Sequence, residues 1–220
     1  MKIKIECESL DDLLEGGIES GCLTLLYGEA GSGKTNICLQ LSRNVARKKK
    51  VAYIDTEGVS MERLKQMSGK QYDRIMKNVL LWEPTNMEEQ EEAIDAVVNL
   101  VEKSSRMGMV VFDSATIHYR MTKRNEERFD RKTLTGQISK LLSLARKQDI
   151  PVLLTSQVYT DIERGTFEPL GGHMLTHNAK SIIRLDKIGP NTRRAVVMKH
   201  RHLAEAKSAE FFLTDKGVTC

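Results

Sequence analysis

A glycine-rich stretch near the start of the chain constrains its fold more than any other feature. Residues 28–35 read Gly-Glu-Ala-Gly-Ser-Gly-Lys-Thr and fit the pattern G-x-x-x-x-G-K-[ST] at every position. The apolar run at 23–27 predicts a buried strand before it, and the spacing of apolar residues over 34–48 predicts an amphipathic helix after it. A strand, a phosphate-binding loop and a helix in this order predict an α/β fold.

The chemistry of this loop predicts a site for ATP and Mg²⁺. Glycines allow successive backbone N–H groups to turn towards a phosphate, and the helix N-terminus adds its positive dipole. Lys34 would place a charge on the phosphates, and the Thr35 hydroxyl would be a ligand of the magnesium ion. The residues that we assign to the nucleotide from this stretch are Gly28, Glu29, Ala30, Gly31, Ser32, Gly33, Lys34, Thr35 and Asn36.

The rest of the chain alternates short apolar runs with longer helical patterns, which predicts a mostly parallel central sheet flanked by helices. Further strands are predicted at 51–55, 79–82, 109–113 and 152–155, and further helices at 87–103 and 133–147. From 181 onwards the pattern predicts only short antiparallel strands, at 181–185, 194–200 and 209–213. No linker or repeat divides residues 1–220, so we expect a single domain. The segments 118–131 and 159–178 fit no element, and loops of this length are often functional.

Carboxylates follow two of the predicted strands. Asp113 ends an apolar strand and is the expected second ligand of the magnesium ion. Glu57 lies at the carboxyl end of the strand over 51–55, where ligands of open α/β sheets sit, and is the candidate catalytic base. Asp55 is its rival, although we expect Asp55 to cap the following turn. Glu57 as an ordinary surface carboxylate is the alternative.

Composition excludes several classes of protein. The chain has 40% hydrophobic and 29% charged residues and a net charge of +4, which permits nucleic-acid binding without requiring it. No apolar run is long enough to cross a membrane and no signal peptide is apparent, so we expect a cytoplasmic protein. The cysteines are widely and irregularly spaced, and we expect all of them to be free thiols: Cys7, Cys22, Cys38 and Cys220.

Taken together, these motifs resemble the RecA-type recombinases of archaea and eukaryotes. Residues 9–18 (SLDDLLEGGI) resemble the family's entry into the P-loop strand, and 53–58 (YIDTEG) resemble its catalytic-glutamate strand. Residues 154–158 (LTSQV) and 171–177 (GGHMLTH) resemble the segments that flank the second DNA-binding loop. The similarity runs from about 10 to 218 and implies a RecA-type P-loop NTPase core. It is strongest to the short archaeal paralogues of the recombinase RadA, because residues before the core leave no room for a helix-hairpin-helix domain.

The resemblance also implies roles for single residues. Gln157 matches the amide that senses the γ-phosphate, and we place it with Lys34 and Glu57 in the catalytic set. His177 matches a second sensing position, and Arg63 matches an arginine that stacks on adenine. A solvated helix charge is the alternative for Arg63.

One pair of cations departs from the family's pattern. Lys199 and Arg201 stand where archaeal and eukaryotic members carry an acidic segment. In a continuous strand the two side chains would share a face. They could reach a neighbour's γ-phosphate as trans-acting residues, contact DNA, act within one subunit, or form an ordinary basic edge strand.

The first DNA-binding loop of the family corresponds to 120–132 here. A basic, flexible loop can neutralise phosphates and give sequence-independent affinity for single-stranded or branched DNA. Tyr119 and Phe129 are candidates for stacking on bases. The basic residues that we assign to DNA are Arg120, Lys123, Arg124, Arg128, Arg131 and Lys132.

Three functions follow from these patterns. The first is an accessory protein of homologous recombination and DNA repair, with weak ATPase activity and no strand exchange of its own. The resemblance implies as its partners DNA, the RadA recombinase and a Holliday-junction resolvase, and a homodimer is compatible with it. The second is a filament-forming recombinase with DNA-dependent ATPase activity. The third is a small-metabolite kinase or a KaiC-like signalling ATPase, for which we find no acceptor pocket or arginine-rich lid.

Overall fold

In the computed structural model, the backbone is described for residues 1–120, 127–161 and 166–220, and the side chains for 1–119, 131–159 and 167–220. The strands are β1 (Lys2–Ile3), β2 (Ile18–Glu19), β3 (Leu23–Gly28), β4 (Lys50–Asp55), β5 (Val79–Trp82), β6 (Met107–Asp113), β7 (Val152–Ser156), β8 (Val158–Asp161), β9 (Thr166–Pro169), β10 (Ser181–Lys187), β11 (Thr192–Lys199), β12 (Ser208–Thr214) and β13 (Gly217–Thr219). The helices are α1 (Glu8–Leu13), α2 (Lys34–Ala46), α3 (Met61–Ser68), α4 (Tyr72–Met76), α5 (Met87–Lys103), α6 (Ile117–Arg120), α7 (Glu127–Gln148) and α8 (Gly172–Asn178). A 3₁₀ turn at Gly69–Gln71 joins α3 to α4.

A nine-stranded sheet forms the centre of the molecule, in the order β13-β12-β11-β10-β3-β7-β6-β4-β5. The strands from β10 to β5 are parallel, and β11, β12 and β13 extend the sheet with antiparallel pairs. This confirms the predicted α/β class, with a mostly parallel sheet that ends in antiparallel strands. Every residue of β3, β6 and β7 is buried, because helices cover both faces of the parallel part.

The helices enclose a separate apolar core on each face of the sheet. Alternate residues of a strand point to opposite faces. Leu26 therefore joins the core that contains Ile37 of α2, while Leu25 joins the one that contains Ile138 of α7. None of the helices in the described part of the chain is long and apolar enough to span a membrane.

The two segments without a sequence assignment contain regular structure. The segment 118–131 includes most of α6 and the start of α7, which begins six residues before the predicted helix start at 133. The segment 159–178 contains an antiparallel hairpin of β8 and β9, paired from Val158↔Pro169 to Asp161↔Thr166, followed by α8. The hairpin strands are four residues each, too short for a clear alternation of apolar and polar residues.

The prediction of four free thiols is wrong for two of them. Cys7 and Cys220 form a disulfide, with their Cα atoms 5.6 Å apart, while Cys22 and Cys38 are free and buried. Ser9 of α1 donates a hydrogen bond of 2.6 Å to the carbonyl of Glu210 on β12, which holds α1 against the C-terminal strands. The fold thus brings the chain ends together across a separation of 213 residues, for which spacing in the sequence gives no signal.

Candidate functional site

The carboxyl ends of four parallel strands meet at one edge of the sheet, called here the nucleotide edge. The P-loop begins at the end of β3, Gln157 follows β7, Asp113 ends β6, and Glu57 comes two residues after β4. Asp55 and Asp113 are partners in the register of β4 and β6, and Tyr27 is the partner of Ser156 in β3 and β7. The sheet therefore gathers the predicted catalytic residues where ligands of open α/β sheets bind.

The glycines of the P-loop are required by the space around them and by their backbone angles. A Cβ on Gly28 would lie 2.3 Å from the carbonyl oxygen of Leu185 on β10. Gly31 and Gly33 have φ angles of +74° and +104°, which side chains of L-residues rarely tolerate. The loop thus keeps a backbone-lined concavity at the start of α2, which is the shape that a phosphate group requires.

Polar atoms inside the concavity fit an anionic ligand. The Ser32 hydroxyl oxygen is buried and makes no hydrogen bond to the described atoms. Lys34 is 6% exposed, and its ammonium group donates to the carbonyls of Gly28 at 2.8 Å and Glu29 at 3.0 Å. Burial lowers the pKa of Lys34, while the negative charges of Glu57 and Asp113 raise it. A triphosphate would give both Ser32 and Lys34 partners of the right chemistry.

Asp113, the expected metal ligand, is held in place by hydrogen bonds. It is 2% exposed and accepts hydrogen bonds from the Tyr53 hydroxyl at 2.8 Å and the Thr155 hydroxyl at 2.5 Å. Burial raises the pKa of Asp113, and hydrogen bonds from Thr155, Tyr53 and Thr35 oppose that shift. Thr35, at the start of α2, is thus close enough to Asp113 to influence its pKa. A hydroxyl and a carboxylate beside the phosphate concavity fit Mg²⁺, which would neutralise charge on the phosphates when bound.

Glu57 and Gln157 are in direct contact. The Gln157 amide nitrogen donates to Glu57 Oε1 at 3.0 Å. Asp55 instead accepts backbone hydrogen bonds from Glu57, Gly58 and Val59, which confirms the prediction that Asp55 caps the turn after β4. Glu57 is left exposed at the nucleotide edge. A carboxylate paired with a neutral amide at this position can orient a water molecule.

Arg63 links three parts of the structure beside the P-loop helix. Its side chain donates to the Asn36 side chain at 2.8 Å and to the carbonyls of Thr214 at 2.6 Å and Asp215 at 3.4 Å. The guanidinium thus lies between α2, α3 and the β12–β13 turn. These contacts fix the position of Arg63, and its role towards adenine stays a prediction.

His177 lies on α8, where it is exposed. Its ring stacks on that of His173, with the ring centroids 5.4 Å apart. The two rings line a depression of about 440 Å³ together with Tyr27, Met198 and Lys199. The sensing role of His177 is untested by these contacts.

Lys199 and Arg201 do not share a strand face, so that prediction is wrong. β11 ends at Lys199, and Arg201 lies in the turn beyond it. Lys199 donates to the carbonyl of Thr176 at 2.8 Å, whereas Arg201 reaches towards Gly21 at 3.4 Å. Lys199 is the register partner of Ile182, near the start of β10, so both cations lie towards the end of the sheet opposite the P-loop. This placement argues against an action of either cation on the nucleotide of its own chain.

The predicted DNA residues are only partly described. The side chains of Arg120, Lys123, Arg124 and Arg128 lie outside the described residues. Arg131 and Lys132 are exposed. The sequence predicts that they lie in a loop, but they lie on α7. Tyr119, a predicted stacking residue, packs against the core on the α7 side of the sheet. Phe129, the other one, lies outside the described side chains.

Sequence reasoning missed one buried cation at the P-loop. Arg193 on β11 is 6% exposed and donates to the carbonyl of Gly31 at 2.9 Å and to those of Gly189 and Thr192 at 3.0 and 2.9 Å. It holds the outer side of the P-loop against the C-terminal strands. The alternation of side chains along the strand could have indicated that Arg193 is buried, because Arg193 shares a face with the buried Ala195.

The hairpin of β8 and β9 was the second omission. It carries two exposed aromatic side chains, Tyr159 and Phe167, with exposed fractions of 46% and 43%. A cleft of about 300 Å³ between the hairpin and the P-loop is lined by Phe167, Glu29 and Lys187, among others. The site therefore continues from the nucleotide edge to an exposed aromatic surface.

Comparisons with known proteins agree on one family. The family model described as Rad51 matches residues 1–220. The chain is 44% identical over 215 residues to the "DNA repair and recombination protein RadB" of Methanococcoides burtonii, covering 96% of this chain and 95% of the relative. It is 40% identical over 224 residues to the protein of the same name from Archaeoglobus fulgidus, covering 99% and 98%. A solved structure, "Crystal structure of the RadB recombinase", superposes with a TM-score of 0.85 at 36% identity, covering 99% of this chain and 98% of the other.

Proposed function

The chain belongs to the Rad51 family, and on that basis we propose that it is an ATP- and DNA-binding protein of DNA repair and recombination. In this proposal it acts as an accessory protein in the cytoplasm, hydrolyses ATP slowly and does not carry out strand exchange itself. The names of the relatives, "DNA repair and recombination protein RadB", support the process. The site geometry supports the use of ATP with Mg²⁺.

One observation carries the proposal: the segment of Gln157 joins the nucleotide edge to the hairpin. The Gln157 side chain contacts Glu57 at 3.0 Å, and its backbone carbonyl accepts a hydrogen bond of 2.8 Å from the N–H of Leu170. The neighbouring Ser156 hydroxyl donates to the carbonyl of Leu170 at 2.9 Å. Both ends of the hairpin are thus attached to the segment of Gln157, the proposed sensor of the γ-phosphate. A change of nucleotide state that moves Gln157 would also move the hairpin that carries Tyr159 and Phe167.

Each predicted residue has a part in this proposal. Lys34 and the P-loop backbone bind the phosphates, Thr35 and Asp113 hold Mg²⁺, and Glu57 orients the attacking water. Gln157 senses the γ-phosphate, and Arg63 stacks on adenine. His177 stays a second candidate sensor. The candidate DNA residues are Arg120, Lys123, Arg124, Arg128, Arg131 and Lys132, to which we add Tyr159 and Phe167.

The weak rate and the absence of strand exchange rest on two features. The Glu57 side chain is exposed and accepts a hydrogen bond from Gln157, so the proposed base is less enclosed than the buried Asp113. The pairing of β8 and β9 extends to Asp161 and Thr166, between which the sequence has four residues, and this leaves little free chain for contact with stretched DNA. A filament-forming recombinase is the alternative, in which Lys199 and Arg201 would act on the nucleotide of a neighbouring chain.

The test compares ATP hydrolysis by the wild type, Lys34→Ala and the control Lys48→Ala, with and without single-stranded DNA. Lys48 is exposed beyond the other end of α2, so its substitution should leave both activities unchanged. DNA binding is measured at two salt concentrations alongside. We expect slow turnover, lost in Lys34→Ala and unchanged by DNA, together with DNA binding that weakens with salt.

Other results would redirect the assignment. Acceleration of turnover by DNA, with sedimentation of large complexes in ATP, would favour the filament-forming recombinase. Failure of the wild type to bind ATP would overturn the proposal altogether.

Two partners follow from the resemblance, the RadA recombinase and a Holliday-junction resolvase. Co-sedimentation of the purified proteins tests each, and sedimentation of the chain alone tests a homodimer.

A further inference from the structure

A cluster of two histidines and a glutamate lies at the end of the sheet opposite the nucleotide edge. Glu19 belongs to β2, and His200 and His202 belong to the turn that follows β11. One ligand atom of each residue lies within 4.8 Å of the others. Glu19 is about 180 residues from the two histidines in the sequence, and the fold brings it beside them at a distance from the described nucleotide-site residues.

We propose that Glu19, His200 and His202 form a binding site for a divalent transition-metal ion of the zinc type. Neutral imidazole nitrogens combined with a carboxylate oxygen are ligands that suit Zn²⁺ and its neighbours and do not suit Mg²⁺. The site is therefore distinct in chemistry from the magnesium site proposed at Thr35 and Asp113.

The distances are close to those that a bound ion requires. Ligand atoms about 2.0–2.2 Å from a tetrahedral Zn²⁺ are about 3.4 Å from one another. His202 Nδ1 is already 3.7 Å from Glu19 Oε1. The rings of His200 and His202 are perpendicular, with their centroids 4.6 Å apart, so their nitrogen atoms can converge on one point. Two ligand atoms at the 4.8 Å limit would have to approach by about 1.4 Å to complete this geometry, which side-chain rotation can provide.

Glu19 supplies an oxygen that lacks a partner. Its side chain is 14% exposed, and Oε2 is buried without a hydrogen bond to any described atom. A buried carboxylate oxygen is costly unless it is compensated by a hydrogen bond or a metal ion. Arg201, which forms an ion pair with Glu19, has its Nε 3.9 Å from Oε2, too far for a hydrogen bond. Since Arg201 is 46% exposed, this pair contributes little and can separate.

Glu15 completes the surroundings of His202. Its Oε2 lies 3.8 Å from His202 Nε2, on the opposite side of the ring from Glu19. Metal-bound histidines commonly donate their other N–H to a carboxylate, which fixes the ring and raises its basicity. Glu15 is in a position to accept the other N–H of His202. The three protein ligands, Glu19, His200 and His202, would leave one tetrahedral position for water.

The bound ion would join two segments of the chain. Glu19 lies in the N-terminal hairpin of β1 and β2, and the histidines lie between β11 and β12. A metal ion would fix the turn that carries Arg201 and the end of the strand that carries Lys199. We therefore expect metal binding to stabilise the folded chain.

The experiment titrates Zn²⁺ into the untagged full-length chain, freed of metal by a chelator and kept without nucleotide or Mg²⁺. Calorimetry measures stoichiometry and affinity, and Co²⁺ serves as a spectroscopic probe of tetrahedral coordination. We expect one Zn²⁺ per chain. His202→Ala and Glu19→Gln should each weaken binding by at least about tenfold. His173→Ala is the matched control, because His173 belongs to the other pair of neighbouring histidines and should leave the affinity unchanged.

The folding of each variant is checked by its circular dichroism and its melting temperature in a chelator. His202 is 44% exposed, so His202→Ala should fold even if Glu19→Gln does not. Zn²⁺ should raise the melting temperature of the wild type and of His173→Ala, and not that of the His200→Ala/His202→Ala double variant. No binding by the wild type would overturn the proposal. So would a loss of affinity in His173→Ala equal to that in His202→Ala.

Discussion

The nucleotide edge and the candidate DNA surface are built in opposite ways. At the nucleotide edge, Lys34 and Asp113 are buried and held by hydrogen bonds to neighbouring groups. On the candidate DNA surface, Tyr159, Phe167 and Arg131 are exposed. A buried, preorganised group acts on charge that develops in a reaction, while an exposed cation acts through a screened field. Substitutions at the edge should therefore change the chemical step, and those on the surface should change affinity in a salt-dependent way.

The largest effect is expected from Glu57→Gln. Loss of the base should lower the rate of ATP hydrolysis by about 100-fold or more. ATP binding should persist, because the P-loop and Asp113 are untouched and an amide can still contact Gln157. Single-turnover hydrolysis and nucleotide binding are measured on the same samples. Glu62→Gln, on the neighbouring helix α3 with a side chain 86% exposed, is the control. Equal rates for both variants would remove Glu57 from the catalytic set.

The next largest effect is expected on the hairpin. Stacking of a base on an aromatic side chain contributes about 1–3 kcal/mol, so Tyr159→Ala or Phe167→Ala should weaken single-stranded DNA binding by about tenfold. The loss should persist at high salt, because it removes no charge. Fluorescence anisotropy with a labelled oligonucleotide measures it. Phe212→Ala is the control, since Phe212 is equally exposed at 43% but lies on β12. Equal losses in the control would show that the hairpin has no special part.

The nucleotide edge could be predicted from the sequence because its signals are local. The P-loop is contiguous, and Asp113 and Glu57 each follow an apolar run that could be recognised as a strand. Once a parallel sheet is inferred, the ends of its strands must meet at one edge. The bounds of the predicted helix at Met87–Lys103 agree with the structure to the residue, and Asn86 caps this helix by accepting a hydrogen bond of 2.9 Å from the N–H of Glu89.

The remaining features depend on contacts between distant residues. Arg193 contacts Gly31, and Cys7 is bonded to Cys220, although the sequence around these residues does not indicate which distant partner each one contacts. The prediction for Lys199 and Arg201 was wrong because strand alternation holds only while the strand continues, and β11 ends at Lys199. The hairpin of β8 and β9 was missed because each strand is too short for a periodic signal.

The double variant Arg131→Ala/Lys132→Ala tests whether the exposed cations of the candidate DNA surface contact phosphates. Each phosphate contact on a single strand contributes about 0.7 to the slope of log affinity against log salt. Removal of two contacts should reduce that slope by about 1.4. Affinity at moderate salt should fall severalfold while ATP hydrolysis is unchanged. Arg146→Ala/Lys147→Ala, in the last turn of the same helix, is the matched control. A slope that falls equally in both double variants would indicate a general charge effect and no local contact.

The smallest effect is expected on stability, and it tests whether the buried carboxylate of Asp113 destabilises the fold when no ligand is bound. Burial raises the pKa of Asp113 above its ordinary value of 3.8. The folded state therefore holds the proton more tightly than the unfolded state does, and stability falls as pH rises from the unfolded pKa to the folded one. Above that window the penalty is fully present. Asp113→Asn should remove this penalty and raise the melting temperature at neutral pH.

The matched control for Asp113→Asn is Asp55→Asn, its register partner on β4. Both side chains are 2% exposed, but Asp55 accepts hydrogen bonds from three backbone N–H groups. Its amide would lose acceptor capacity, so Asp55→Asn should destabilise the fold. Thermal unfolding at several pH values should show the advantage of Asp113→Asn narrowing as pH falls, because the wild-type carboxyl is then protonated. A constant difference, or a variant less stable than the wild type at neutral pH, would show that the hydrogen bonds of Asp113 outweigh its burial.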